Sequence, residues 1–267
     1  MEILVCVKQV PDTAEVKIDL ETGRLIRSGV PNITNPFDKN ALEEALKIKD
    51  ANAGTKVTVI SMGPPQATEV LKECLAMGAD DAYLISDRAF GGADTLATSY
   101  TLAMSIRKVA EQTGKTFDII FCGKQAIDGD TAQVGPEVAE ELDIPQITYA
   151  SKVDIVGDTV RVQREHEEGY EVLEAKMPVL ITAVKALNEP RFPTIKGTMK
   201  AKRREIPVLT AEEVGAEVER IGLKGSPTRV RKIYTPQQRT GGVVITEEDM
   251  TTAVDVLMNK LKEDKII

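Results

Sequence analysis

Residues 117–142 read FDIIFCGKQAIDGDTAQVGPEVAEEL, and the fold turns on how this stretch is parsed. Ile119, Ile120, Phe121, Cys122 and Gly123 form a short, unbroken apolar run, the pattern of a strand buried on both faces. A polar turn with Asp128, Gly129 and Asp130 follows, and an Asp in that turn is a candidate N-cap. Thr131, Val134, Val138, Ala139 and Leu142 then recur at helical spacing on one stripe. The parse is strand, loop, helix. At such a junction the first helical amides lack partners within the helix and carry the positive end of its dipole, so they attract phosphate oxygens. Gly129, Thr131, Ala132 and Gly135 are small enough to let a ligand approach the backbone. Pro136 either opens the helix or kinks its first turns.

Upstream, the same unit recurs. Ile3 to Val7 is a buried strand, and Lys8 to Asp12 leave it at the edge where open α/β sheets bind ligands. The turn words ETGR and RSGVPN within 13–34 predict an excursion with a small hairpin. Asn35, Pro36, Phe37 and Asp38 precede a helix with Ala41, Leu42, Ala45, Leu46 and Ile48 on its buried side, Asp38 being the expected N-cap. Lys56 to Ser61 is a second strand, ending in Met62, Gly63 and Pro64, and a helix over 66–77 stops at Gly78. Tyr83 to Ser86 is a third. After it come Gly91, Gly92, Ala93, Asp94 and Thr95, either a second anion site at a helix start or a flexible connector, and then a long helix ending at Gly114. Gly114, Lys115 and Thr116 imitate the end of a phosphate-binding P-loop. The imitation fails because Val109 stands where a glycine belongs and the segment closes a helix instead of opening one.

Past Pro145 the period changes from 3.6 to 2, and four strands are expected over 147–156, 159–164, 169–174 and 179–184, the first two joined through Gly157 and Asp158. The fold class is therefore α/β: a doubly wound, mostly parallel sheet with antiparallel β additions at one edge. From Asn188 the text turns to Pro, Gly and charge. Lys196, Lys200, Lys202, Arg203 and Arg204 place five cations within nine positions, either a solvated loop or a docking surface for an acidic partner. Residues 206–245 hold few apolar positions and read as an extended arm. The last helix opens at Thr246 and Asp249 in capping-box spacing, with Met250, Ala253, Val254, Leu257 and Leu261 on one side, to be buried by the same chain or a partner. The expected organisation is a nucleotide-binding domain over 1–205 and a C-terminal arm over 206–267.

Composition narrows the chemistry. A net charge of −8 argues against a nucleic-acid binder. Cys6, Cys74 and Cys122 are far apart with no CxxC pair, so a reducing compartment is expected, and His166 is the only histidine, which excludes multi-histidine metal sites. No apolar run approaches the roughly 18 residues of a membrane span, and MEILVCVKQ lacks the features of a secretion signal, so a soluble, cytoplasmic protein is expected.

The words VCVKQVPD, NPFDKNALEEA, SMGPPQA and GKQAIDGDTAQVGP, in this order along the chain, resemble the nucleotide-contacting segments of electron transfer flavoprotein β subunits. Residues 162–182, VQREHEEGYEVLEAKMPVLIT, are similar to that family's signature pattern, with Arg164, Glu167, Glu168, Gly169, Glu171, Leu173 and Pro178 in its key places. The resemblance implies a Rossmann-like, adenine nucleotide α-hydrolase-like scaffold and a heterodimer with an α subunit that carries a flavin. It implies that Cys6, Asn35, Asp38 and Met62 line the adenosine end of the site, and that Val7, Pro36, Phe37, Gly63 and Pro64 also bind the cofactor. Gly123, Lys124, Gln125, Ala126, Ile127, Asp128, Gly129, Asp130, Thr131, Ala132, Gln133 and Val134 would form the loop, with the amides of 130–134 on a diphosphate. Simpler members hold structural AMP here and resemble DDDCNQT, whereas this chain reads DGDTAQV, and the smaller side chains favour FAD. FGGADT at 90–95 also resembles the electron-bifurcating group, which would set Gly91 to Thr95 on the NADH-facing side. That assignment implies NADH as donor, and ferredoxin or flavodoxin and an acyl-CoA dehydrogenase-type enzyme as acceptors. Residues 188–205 resemble the partner-recognition loop, with Leu187 as the anchor and Lys196, Lys200, Lys202 and Arg203 around it. No side chain is expected to act as a proton-transfer catalyst.

Overall fold

The computed structural model describes residues 1–12, 17–18, 25–26, 31–231, 241–247 and 249–267. Its strands are β1 (Glu2–Cys6), β2 (Gln9–Pro11), β3 (Lys17–Ile18), β4 (Leu25–Ile26), β5 (Asn32–Thr34), β6 (Lys56–Met62), β7 (Asp81–Ile85), β8 (Ile119–Gly123), β9 (Gln146–Val156), β10 (Thr159–His166), β11 (Gly169–Lys176), β12 (Val179–Ala183) and β13 (Val208–Leu209). The helices are α1 (Pro36–Ala51), α2 (Thr68–Met77), α3 (Thr95–Thr113), α4 (Val134–Leu142), α5 (Ile195–Arg203), the single turn α6 (Gly222–Gly225) and α7 (Met250–Glu263).

Nine strands form one sheet in the order β11-β10-β9-β12-β8-β1-β6-β7-β13. Every neighbouring pair from β9 to β13 is parallel, and only β10 and β11 at one edge run antiparallel. The chain leaves β1 for β6 and β7 on one side, then returns to β8 on the other. The switch point thus lies between β1 and β8, where open α/β sheets bind ligands beyond the strands' carboxyl ends.

The continuous apolar runs are buried on both faces, as parallel strands require. Ile3, Val5, Ile119 and Phe121 pack with α1 and α2 on one side, while Leu4, Cys6, Ile120 and Cys122 join α3 and α4 on the other. Fully burying each large side chain of this set contributes roughly 1.5–3 kcal/mol. Glycines set the closest approaches. A Cβ on Gly135 would sit 2.6 Å from Thr182 Cγ2, so Gly135 seats α4 on β12 and does not serve as ligand space. A Cβ on Gly197 would meet the Ala76 carbonyl oxygen at 2.3 Å, so its absence seats α5 against the end of α2.

Two expectations about organisation change. β12 does not extend the antiparallel edge but inserts between β9 and β8, parallel to both. The segment after 205 is no free arm at its start: β13 pairs with β7, and Leu209, Val214 and Ile221 are buried in the core. The first compact unit runs Met1–Lys232, and the second is Ile233–Ile267. In the second unit α7 starts at Met250 with Asp249 itself as the cap, its carboxylate accepting from the Thr252 amide at 2.9 Å. Met250, Val254 and Leu257 on α7 are exposed. The turn words at 21–24 and 27–30 lie outside the described residues, though β3 and β4 beside them pair antiparallel. Among the described residues no helix is long and apolar enough to cross a membrane.

Candidate nucleotide site

The carboxyl ends of β1, β6 and β8 bring Cys6, Val7, Met62, Gly63, Pro64 and Gly123 to one edge, and the starts of α1 and α4 flank the switch point from opposite faces. α1 begins at Pro36, two residues before the expected cap. Its N-cap position is Asn35, and no side chain caps it. Asn35, fully buried, reaches across the crevice: its Nδ2 donates to the Gln125 carbonyl at 2.8 Å and its Oδ1 accepts from the Ile127 amide at 3.2 Å. Asp38, expected as the N-cap, instead accepts from the amides of Lys8 at 2.7 Å and Gly123 at 3.1 Å. A carboxylate so placed ties the exits of both switch-point strands to α1. The Lys8 ammonium and the Asp128 carboxylate add a surface latch at 2.8 Å, worth under about 1 kcal/mol in solvent.

Burial drives the Asp38 carboxyl up from 3.8 to about 7, outweighing its hydrogen bonds to Asn35, Lys8 and Gly123. Because the folded value is raised, the stability it confers is fully present below 3.8 and is lost as pH rises through about 7. Asp38→Asn is therefore expected to flatten the fall in melting temperature between pH 4 and 7, even where its absolute stability is lower. An unchanged pH slope would assign that fall to other groups.

The loop between β8 and α4 is shaped from within and open outward. The amides of Gly129 and Asp130 both turn back to the Ala126 carbonyl, and Gln125 Nε2 donates to the Asp130 carboxylate at 2.8 Å. This removes Asp130 from the expected set of diphosphate amides. Among the described residues, Thr131, Ala132 and Gln133 have no acceptor for theirs. Asp130 and Ala132 hold the left-handed conformation, at φ +51 and +55. Ala132 is followed by a right-handed Gln133, the alternation by which successive N–H groups line an anion-binding concavity. The candidate Asp cap is not used: α4 begins after Gln133 with no side chain on its N-terminus, and Pro136 falls in its first turn, where the missing N–H is not needed. A Cβ on Gly129 would meet nothing within 4 Å.

The turn at 91–95 is held by a neighbouring segment of the same chain. The Gly91 carbonyl accepts from the Leu223 amide, and the Leu223 side chain fills the space beside Gly92. Asp94 caps α3 through the Ala97 amide and also accepts from Thr228, while its own amide donates to Ser226. Residues 223–228 thus touch the start of α3, while Gly91 and Gly92 stay exposed and Ala93 is half-buried. Thr95 alone reaches toward the cradle: its Oγ1 donates to Glu137 Oε1 at 3.1 Å, leaving Glu137 Oε2 buried with no partner.

Cys6 and Cys122 lie side by side on β1 and β8, and the Cys122 thiol is held well above its usual value by its hydrogen bond with Cys6 and by burial. It stays protonated, so no thiolate nucleophile is present there. The arrangement can grip a phosphate and satisfy a ligand donor.

Leu187, expected as the docking anchor, is only 8% exposed and belongs to the core. The residues beyond it are held rigidly: Arg191 forms a two-pronged pair with Glu43 at 2.8 and 2.9 Å, and Asn188 bonds Asn40 and Glu44, all on α1. From that base Phe192, Ile195 and Met199 project into solvent, 90%, 84% and 57% exposed. Lys196, Lys200, Lys202 and Arg203 share α5 with Ile195 and Met199, whereas Arg204 turns to Asp80 and Asp81. Tyr149, which nothing in the sequence singled out, also lies against the loop, its ring under the Lys124 ammonium.

The model of the electron transfer flavoprotein domain family matches residues 22–214. An electron transfer flavoprotein subunit beta of Megasphaera elsdenii is 66% identical across the whole of both chains. The caffeyl-CoA reductase-Etf complex subunit CarD of Acetobacterium woodii is 53% identical, and the acryloyl-CoA reductase electron transfer subunit gamma of Anaerotignum propionicum 46%, each over the full length of both chains.

Proposed function

The chain belongs to the electron transfer flavoprotein family, as a β subunit, and from that footing we propose that its switch-point cradle holds FAD and that it works with an α subunit to split electron pairs. Bound there, FAD would take two electrons from NADH and hand them on singly, one to ferredoxin or flavodoxin and one through the α-subunit flavin to an acyl-CoA dehydrogenase-type acceptor. The observation that carries the reading is the cradle's reach. The unpartnered amides of Thr131 to Gln133 offer donors for phosphate oxygens, the orphaned Glu137 Oε2 offers an acceptor for a ligand hydroxyl, and the open space at Gly129 favours the larger of the two nucleotides. The amides would hold the diphosphate, Glu137 Oε2 would accept from a ligand hydroxyl, and Asn35 and Asp38 keep the loop and strand exits in place.

The test is a count of nucleotides released by heat from the purified heterodimer. Two FAD per heterodimer support the reading, while one FAD with one AMP refutes it in favour of a structural nucleotide and plain electron carriage.

The acceptor would dock on the apolar group Phe192, Ile195 and Met199, with the cations of α5 steering an acidic rim toward it. The CoA-thioester reductases named with two relatives favour an acceptor of that class. Changing Lys200, Lys202 and Arg203 together to Gln is expected to slow acceptor reduction about tenfold at low salt, with flavin content unaltered and the difference shrinking as salt screens the field. Equal rates at low salt in stopped-flow traces would assign these cations to solvation.

A further inference from the structure

Tyr149 has the left-handed backbone, φ +60, a region that a bulky side chain rarely occupies. It sits where β9 slips register against both neighbours, beside the break at Gln163/Arg164 on β10 and at Ile181/Ala183 on β12. Bulges of this kind re-aim one side chain, and strained residues persist where function holds them. The Tyr149 amide is secured by Thr182 Oγ1 at 3.0 Å. Its ring then receives two cations, Lys124 Nζ at 5.1 Å from the centroid and the Arg164 guanidinium at 5.8 Å.

One cation lacks a counter-charge and the other has only a loose one. Among the described residues the Lys124 ammonium has no carboxylate partner. Arg164 has Glu171 at 3.6 Å, too long for a good hydrogen bond, and its Nε is buried with no acceptor. Lys124 is also the first residue of the cradle loop, its amide fixed on the Ala183 carbonyl at 2.8 Å. Two cations gathered on one ring repel each other, and the arrangement is stabilised when an anion completes it.

We propose that Tyr149 is a positioning residue: its ring holds Lys124, with Arg164 behind, so that the ammonium meets a phosphate of the nucleotide bound in the cradle. This rests on the nucleotide reading given above. Arg164 supplies field and not contact. The tyrosine hydroxyl has no part in it, so phenylalanine serves as well.

The experiment is calorimetric titration of the full-length chain with ADP and, separately, with adenosine. Lys124→Gln is expected to weaken ADP about tenfold or more, the loss typical of one charge-assisted hydrogen bond, while adenosine changes less than about twofold. Tyr149→Leu should follow the same pattern, Tyr149→Phe should match the wild type, and the Lys124→Gln/Tyr149→Leu double variant should be no weaker than Lys124→Gln alone. The salt dependence of ADP affinity should fall in both single variants, a readout that loss of packing would not move. Equal losses for ADP and adenosine, or an unaltered Lys124→Gln, overturn the proposal. So does a loss confined to association with the α subunit, which would make the anion a partner's carboxylate. A wild-type chain that binds neither ligand overturns the nucleotide reading itself, whereas wild-type ADP binding with unresponsive variants overturns only this inference.

Discussion

Gly129→Leu is expected to fold with the wild-type melting temperature and yet to lose the nucleotide. A Cβ built at this position meets no atom of the chain within 4 Å, and the residue lies on the exposed outer part of the loop, so a side chain there costs the apoprotein little. With a dinucleotide in the cradle the same isobutyl group would occupy ligand space, and overpacking of that kind costs roughly 1–3 kcal/mol. That converts to about a 5- to 150-fold weaker affinity, enough at its upper end to strip the cradle during purification. Ala132→Tyr should act in the same direction, although its φ of +55 adds backbone strain that Gly129→Leu avoids. The measurements are nucleotide released per heterodimer and a thermal melt of the same preparation. Wild-type nucleotide content in Gly129→Leu would place the ligand elsewhere.

The opposite pairing of effects is expected at Gly123. An added Cβ would stand 2.3 Å from Asp38 Oδ1 and 2.7 Å from the Phe37 carbonyl carbon, and the nearer backbone cannot yield because Phe37 and Asp38 are already in the first turn of α1. Gly123→Ala must therefore push α1 off the end of β8 or break the Asp38 bond to the Gly123 amide. We expect a loss of about 3 kcal/mol, at the upper end of overpacking costs. For a chain near this size that lowers the melting temperature by roughly 6–12 °C. Because Asn35 and Asp38 move with α1, nucleotide retention should fall as well. A melt within about a degree of wild type would mean that the two elements separate easily and that the site is not braced by this contact.

Much of the architecture was legible because it is local. The buried runs at 3–7, 56–62 and 119–123 alternate with helices at 3.6 spacing, and that alternation dictates parallel strands joined by crossovers. The period-2 text after Pro145 announced β9 to β11 for the same reason. The cradle loop was legible from its small residues between a strand and a helix, though the roles within it were not. Gly135 and Gly129 look alike in sequence, yet one is jammed against Thr182 and the other faces open space. Leu187 and Ile195 are both apolar residues in a charged stretch, but one closes the core and the other stands 84% exposed.

The residues by themselves determined the α/β class, the positions of most strands and helices, and a strand–loop–helix junction at 123–134 built of small residues. Tertiary structure alone decided that β12 slots between β9 and β8, that 208–209 completes the sheet beside β7, and that Asp38 braces two strand exits instead of capping a helix. It also decided that Tyr149 turns its ring beneath Lys124. The division has one cause: periodicity and capping act over a few residues, whereas each of these arrangements joins groups 25 to 124 positions apart, whose meeting depends on the closed sheet and not on either neighbourhood.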